Sequence, residues 1–205
     1  MLRSTVEFSP TSMTSVSKDG IVGKIEFTQK IEEDMVKVNV VLSGLVPNHL
    51  HGFHVHDKGI SDMTGSLEKT CSECGGHFNP NNTSHGSIFN DNPYDRHAGD
   101  LINNIHSNDK GFAYVEFYDD LISLKQESRF CIIGRSIVIH EDFDDLGRGG
   151  ISDPMPYLTG KCVSYYTGMS YLQSLYPSIE KQDESLKTGN AGKRIACGNI
   201  ILDVS

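Results

Sequence analysis

The chain has 205 residues, enough for one domain with a substantial core or one domain carrying a large insertion. Acidic residues outnumber basic ones by 27 to 18, so the formal charge is −9 and no basic stripe is left to neutralise nucleic-acid phosphates. No apolar run reaches membrane-spanning length and the opening MLRSTVEFSP lacks the apolar core of a secretory signal, so no membrane contact and a cytoplasmic location are expected.

In chain order, the predicted elements are short strands. Residues 5–8 and 21–29 come first. In MVKVNVVLSG, Val36, Val38, Val40 and Leu42 then share one face, opposite Lys37 and Asn39. HGFHVH follows at 51–56. There His54 and His56 project together, while Phe53 and Val55 point the other way. That suits a ligand pair on one face and a core on the other, but two same-face histidines need partners before they read as ligands.

Residues 57–96 refuse to be a strand; they are rich in Gly, Asn, Ser and Pro. Further strands are expected at 112–118, 132–140 and 199–203, separated by turn signals such as KDG, SGLVPN and NDKG. Residues 141–194 form a second long loop carrying GRGG and TGN. Within it, Tyr165, Met169, Leu172 and Leu175 recur at helical spacing, which suits a short packed helix. No regular helices alternate with the strands. The pattern predicts an all-β sandwich or barrel.

The first loop supplies partners for the histidine pair. GGHFNPNNTSHGSIFNDNPYDRHAGDL contains His77, His85, His97 and Asp100, a set of nitrogen and oxygen donors that suits a closed tetrahedral Zn²⁺ site. His140 ends a hydrophobic strand in IVIHEDFDDLG, where it could join His54 and His56.

HGFHVH, GGHFNP, RHAGDL, CIIGRSIVIHE, DDLGRGG and KTGNAGKRIACG occur in this order and strongly resemble the copper–zinc superoxide dismutases. The resemblance covers nearly the whole chain, except the first few residues and roughly 151–182. It implies one domain over 1–205, a flattened eight-stranded Greek-key β-barrel of immunoglobulin-like sandwich type, with two long functional loops. Residues 151–182 are then an insertion in the second, electrostatic loop.

By that resemblance, His54, His56, His77 and His140 bind copper, and His77, His85, His97 and Asp100 bind zinc, with His77 bridging the two ions. Asp144 is the carboxylate linking ligands of both metals. The implied reaction converts two superoxide ions to O₂ and H₂O₂ by alternate reduction and oxidation of copper, with zinc as structural partner. Catalytic roles fall to Arg194, which docks the anion, and to His77, which carries a proton. Lys187, Thr188 and Lys193 would steer or narrow the approach, although Asp142 stands where many relatives have a second rim lysine. The resemblance also implies a Cys71–Cys197 disulfide and a homodimer packed through Gly59, Ile133, Gly134 and Leu202, with Lys58 a departure beside them.

The remaining residues are read on their own. His51 falls in the opposite phase to His54 and is expected to be a structural histidine; His49 and His106 are expected to be solvated. Cys131 reads as a free packing thiol on a strand. Cys74 and Cys162, one in each loop, are candidates for a second disulfide; the alternatives are a Cys71-Ser-Glu-Cys74 redox or metal pair, or two free thiols. In a cytoplasmic protein the sequons at Asn81 and Asn82 would be inert. The rival readings are a metallochaperone, whose usual MxCxxC and CxC motifs are missing from this sequence, and a non-catalytic metal-binding protein. Copper delivery by a chaperone is compatible with the sequence but has no motif in it.

Overall fold

Alternating side chains build two antiparallel sheets in the computed structural model, which describes residues 1–18, 20–90, 92–147 and 179–203. The strands are β1 (Leu2–Phe8), β2 (Ser15–Ser17), β3 (Val22–Gln29), β4 (Val36–Ser43), β5 (Leu50–His56), β6 (Asn104–His106), β7 (Ala113–Asp119), β8 (Ser136–His140) and β9 (Arg194–Asn199). One sheet has the order β1-β3-β4-β7 and the other β2-β9-β8-β5-β6. This agrees with the expected sandwich. Nine strands replace the expected eight among the described residues, and two of them are only three residues long.

The core lies between the sheets. Val36, Val38, Val40 and Leu42 of β4 point inward as their spacing requires, and meet Phe53 and Val55 of β5 and Ile137 and Ile139 of β8. Burying each such side chain contributes about 1.5–3 kcal/mol before conformational entropy is counted. The second sheet differs from the first in one respect that decides function. All seven residues of β5 and all five of β8 are buried, so these strands are covered on both faces. The outer cover comes from the two long loops.

Both loops carry a helix among the described residues; the one in the first loop was not expected, and the one in the second lies elsewhere than Tyr165–Leu175. In the first, α1 (Leu67–Ser72) begins at Ser66, whose Oγ accepts a hydrogen bond from Lys69 N at 3.4 Å. In the second, α2 spans Ile179–Thr188 and so takes in the end of the proposed insertion. The remainder of that insertion, with the helix expected around Tyr165–Leu175, lies outside the described residues.

The last strand is also displaced from 199–203 to Arg194–Asn199. Its sequence, RIACGN, is dominated by small residues with little β-propensity, whereas the apolar pattern continues past it. Gly198 fits there because a Cβ would stand 2.5 Å from Val6 Cγ1. Cys71 of α1 and Cys197 of β9 form a disulfide across a sequence separation of 126, packed with Ile60, Cys74 and Val138. Closing so long a loop stabilises the fold by about 4–5 kcal/mol on the chain-entropy account.

Candidate metal centre

The site begins with backbone register. On the β5–β8 ladder Phe53 faces Ile139 and His54 faces Val138, and an irregularity between Ile139 and His140 lets His140 pair with Arg194 of β9. His140 already shares the face of His54 and His56 by strand alternation, since His54 faces Val138 and His56 faces Ser136, while the extra residue, Ile195, lies in β9. His77 arrives from the first loop through an antiparallel bridge to His56. The turn after His97 can sit against β5 only because residue 99 is glycine; a Cβ there would be 2.0 Å from Val55 O.

Two clusters of donor atoms result, each with its atoms within 4.8 Å of one another: His54, His56, His77 and His140, and then His77, His85, His97 and Asp100. In the first cluster three rings are anchored by one nitrogen. His54 Nε2 donates to Asp144 Oδ2 (2.6 Å), His56 Nδ1 to Gly75 O (2.9 Å) and His140 Nδ1 to Gly192 O (3.2 Å). The other nitrogens converge. His56 Nε2 and His140 Nε2 stand 3.4 Å apart, and His54 Nδ1 and His77 Nε2 are buried without a hydrogen-bond partner among the described residues.

In the second cluster, Nδ1 of His77, His85 and His97 lies 2.8, 3.0 and 3.2 Å from a single oxygen, Asp100 Oδ1. His85 Nδ1 makes no hydrogen bond despite that distance. Four ligand atoms ~2.0 Å from a zinc ion stand about 3.3 Å apart in a tetrahedron, so the spacing suits a shared ion better than a hydrogen bond. His77 belongs to both clusters, with Nδ1 on one side and Nε2 on the other.

Asp144 ties the clusters together. Its Oδ2 accepts from His54 and its Oδ1 from His85 Nε2 at 2.9 Å, while Asn104 closes a reciprocal pair with its backbone. Gly189, at φ +69°, is needed over it, since a Cβ would be 2.2 Å from Asp144 Oδ1. Arg194 lies beside His56: its Nη2 and His56 Nδ1 both donate to Gly75 O, and its Nη1 reaches Cys71 O at 2.6 Å. A cleft of about 740 Å³ opens next to it, lined by Lys18, Ser66, Glu68, Glu141, Lys193 and Arg194 among others. Lys187 and Lys193 are exposed, and Thr188 Oγ1 donates to Glu184 on its own helix.

Other expectations are amended. His51 is structural, as read: it is buried and its Nδ1 donates to His140 O. His49 is half-buried rather than simply solvated: its Nε2 donates to Glu141 O at 3.0 Å, and its ring lies edge-on to His51. His106 is half-buried on β6. Cys131 is a half-buried free thiol at an isolated bridge rather than on a strand. Cys74 is a buried thiol, and the proposed bridge to Cys162 falls on a residue outside those described. The sequence reading missed Arg96, which is fully buried and paired to Asp119 at 2.9 Å, fixing the residue next to His97.

Burial, reinforced by neighbouring imidazoles, holds His56 and His140 well below the usual histidine range and His77 at about 3, so these three are neutral ligands. Burial opposes the charged form of His85 as well, but Asp144 and Asp100 outweigh it and raise its pKa well above normal. Burial pushes Asp100 and Asp144 upward too, yet their histidine partners leave both carboxyls well below the ordinary range. A depressed folded pKa means that the unfolded chain binds more protons below about 6.5. For His56, His77 and His140, stability present above that pH is lost as the pH falls, down to about 3 for His77. His85 alone acts in the opposite sense. The urea midpoint of metal-free protein should therefore fall between pH 7 and pH 4; a constant or rising midpoint would contradict the buried neutral cluster.

Comparison with known proteins agrees with this geometry. The family model described as copper/zinc superoxide dismutase matches residues 21–162. A Cu-Zn superoxide dismutase of Paramecium bursaria Chlorella virus 1 is 38% identical over 191 residues, covering 93% of this chain and 78% of its own. An extracellular Cu-Zn superoxide dismutase of Brugia pahangi is 36% identical over 203 residues, 98% of this chain and 80% of its own. The crystal structure of the clock protein EA4 superposes with a TM-score of 0.65 at 32% identity, over 97% of this chain and 92% of that one. The extracellular relative overturns the cytoplasmic expectation, which rested on the opening residues alone, and with it the reason for calling the sequons at Asn81 and Asn82 inert. The Cys71–Cys197 disulfide likewise fits an oxidising compartment. Two clusters that fit copper and zinc, in this sandwich and with these relatives, mean that the chain belongs to the copper/zinc superoxide dismutase family.

Proposed function

We propose a division of labour in which His54, His56, His77 and His140 hold copper and His77, His85, His97 and Asp100 hold zinc, one ion of each per subunit. The chain is a superoxide dismutase, converting two superoxide ions and two protons to dioxygen and hydrogen peroxide. The carrying observation is His77, which offers one nitrogen to each donor cluster. Copper bound in the all-imidazole cluster supplies the one-electron redox couple, a role closed to zinc, which has no accessible second oxidation state.

The protein's own groups do the rest. His77 Nε2 is the atom that takes up and releases a proton, while Nδ1 stays on the side of Asp100. Asp144 orients His54 and His85 together, so the two clusters keep a fixed relation. Arg194 is the docking cation: two main-chain carbonyls hold its guanidinium beside His56, ready for a small anion. Lys187, Thr188 and Lys193 act at the approach, supported by the exposure of both lysines and by Lys193 lining the cleft beside Arg194. Glu68 and Glu141, which line the same cleft, with a net charge of −9, weaken that steering field.

We take the active form to be a homodimer of single-domain subunits. The proposed interface is Gly59, Ile133, Gly134 and Leu202; what supports it is that Gly59 and Gly134 adjoin, since a Cβ on Gly59 would be 2.5 Å from Gly134 O, and that Gly134 N donates to Ile200 O, two residues before Leu202. Neighbouring Ile201 is 47% exposed. Sedimentation of metal-loaded protein at micromolar concentration should give a dimer; a monomer would refute this assembly. For the metal assignment, His140→Ala should abolish dismutation and lose copper while zinc and the sandwich remain. Near-normal activity in that variant would sink the copper assignment.

A further inference from the structure

Past the end of β8 the backbone stays hydrogen-bonded on both sides. Residues 140–142 lead out of β8, and two of their N–H groups bond the stretch leading into β9: Glu141 N donates to Lys193 O (2.7 Å) and Asp142 N to Ala191 O (3.0 Å). The three carbonyls of the same residues turn the other way. His140 O accepts from His51 Nδ1 (2.8 Å), Glu141 O from His49 Nε2 (3.0 Å) and Asp142 O from Gly52 N (2.8 Å). One four-residue piece, 49–52, therefore takes every carbonyl of the segment that begins with a proposed copper ligand. Two of the three donors are side-chain imidazoles, stacked edge-on at 4.8 Å.

His49 is itself braced. Asn48, at φ +52°, turns the chain into β5. His49 N donates to Ser107 Oγ (3.2 Å), and His49 O accepts from Ser107 N (2.9 Å). A side chain anchored at both backbone atoms loses little entropy in reaching one more acceptor, so its hydrogen bond transmits position rather than merely adding stability. We infer that His49 is a positioning residue for the copper site: through Glu141 O it fixes the turn after β8 and so the reach of His140 toward His54 and His56. The inference rests on the copper assignment proposed above.

His49→Ala and His49→Gln test it in the full-length, copper- and zinc-loaded protein. Gln keeps an N–H donor at similar reach; Ala removes it. Copper retention is measured by chelator competition, with the copper(II) electron paramagnetic resonance spectrum as a second readout. His49→Ala should weaken copper binding roughly tenfold or more, shift the copper hyperfine pattern, and leave zinc affinity within about twofold of wild type. His49→Gln should recover most of the loss. Wild-type copper affinity and spectrum in His49→Ala would overturn the inference. So would a parallel loss of zinc, or a Gln variant no better than Ala. Failure of the underlying assignment is separately visible, since wild-type protein would then give no imidazole-ligated copper signal, and that result overturns both.

Discussion

Six histidines and two aspartates lie almost wholly out of water in one patch over β5 and β8: His54, His56, His77, His85, His97, His140, Asp100 and Asp144. Removing such groups from water costs several kcal/mol for each charge left unpaired. For His54, His56, His85 and His140 the molecule meets that cost by dividing the imidazole in two. One nitrogen is given to a carbonyl or carboxylate, and the other is turned toward its neighbours. The inward nitrogens then face one another with little but a metal ion to satisfy them. The rest of the structure follows from the need to hold those second nitrogens at fixed separations.

Both long loops can be read from that need. The first carries His77, His85, His97 and Asp100 over the outer face of β5, and is pinned by the Cys71–Cys197 disulfide at one end and by Arg96–Asp119 at the other. The second brings Asp144 underneath, with a glycine above it because no side chain fits. Arg194 inherits its position from both: its carbonyl partners belong to the disulfide-tied stretch 71–75, while its backbone belongs to β9. The Arg194 guanidinium, the disulfide-tied stretch and His56 thus share a few main-chain atoms, and disturbance of one reaches the others.

How much was legible in advance depended on where the information resides. The alternation of Val36, Val38, Val40 and Leu42 is local, and it reported the inward face of β4 correctly. The same-face pair His54 and His56 was visible for the same reason. The six ordered motifs then supplied the ligand set, which no single segment contains. Features set by tertiary context stayed hidden. β9 was misplaced because its small residues are chosen for close approach to Val6 and Ser15, not for β-propensity. His49 read as solvated because its acceptor, Glu141 O, is 92 positions away, just past the end of another strand. Compartment was misjudged because the opening residues say nothing decisive about it.

The account makes His77 the shared wall between two different ions, and X-ray diffraction from metal-loaded crystals at the copper and zinc absorption edges tests this directly. The copper anomalous peak should fall among His54, His56, His77 and His140, and the zinc peak among His77, His85, His97 and Asp100, with the His77 ring between them. A single peak serving both donor sets, or the same metal preferred in both, would contradict it.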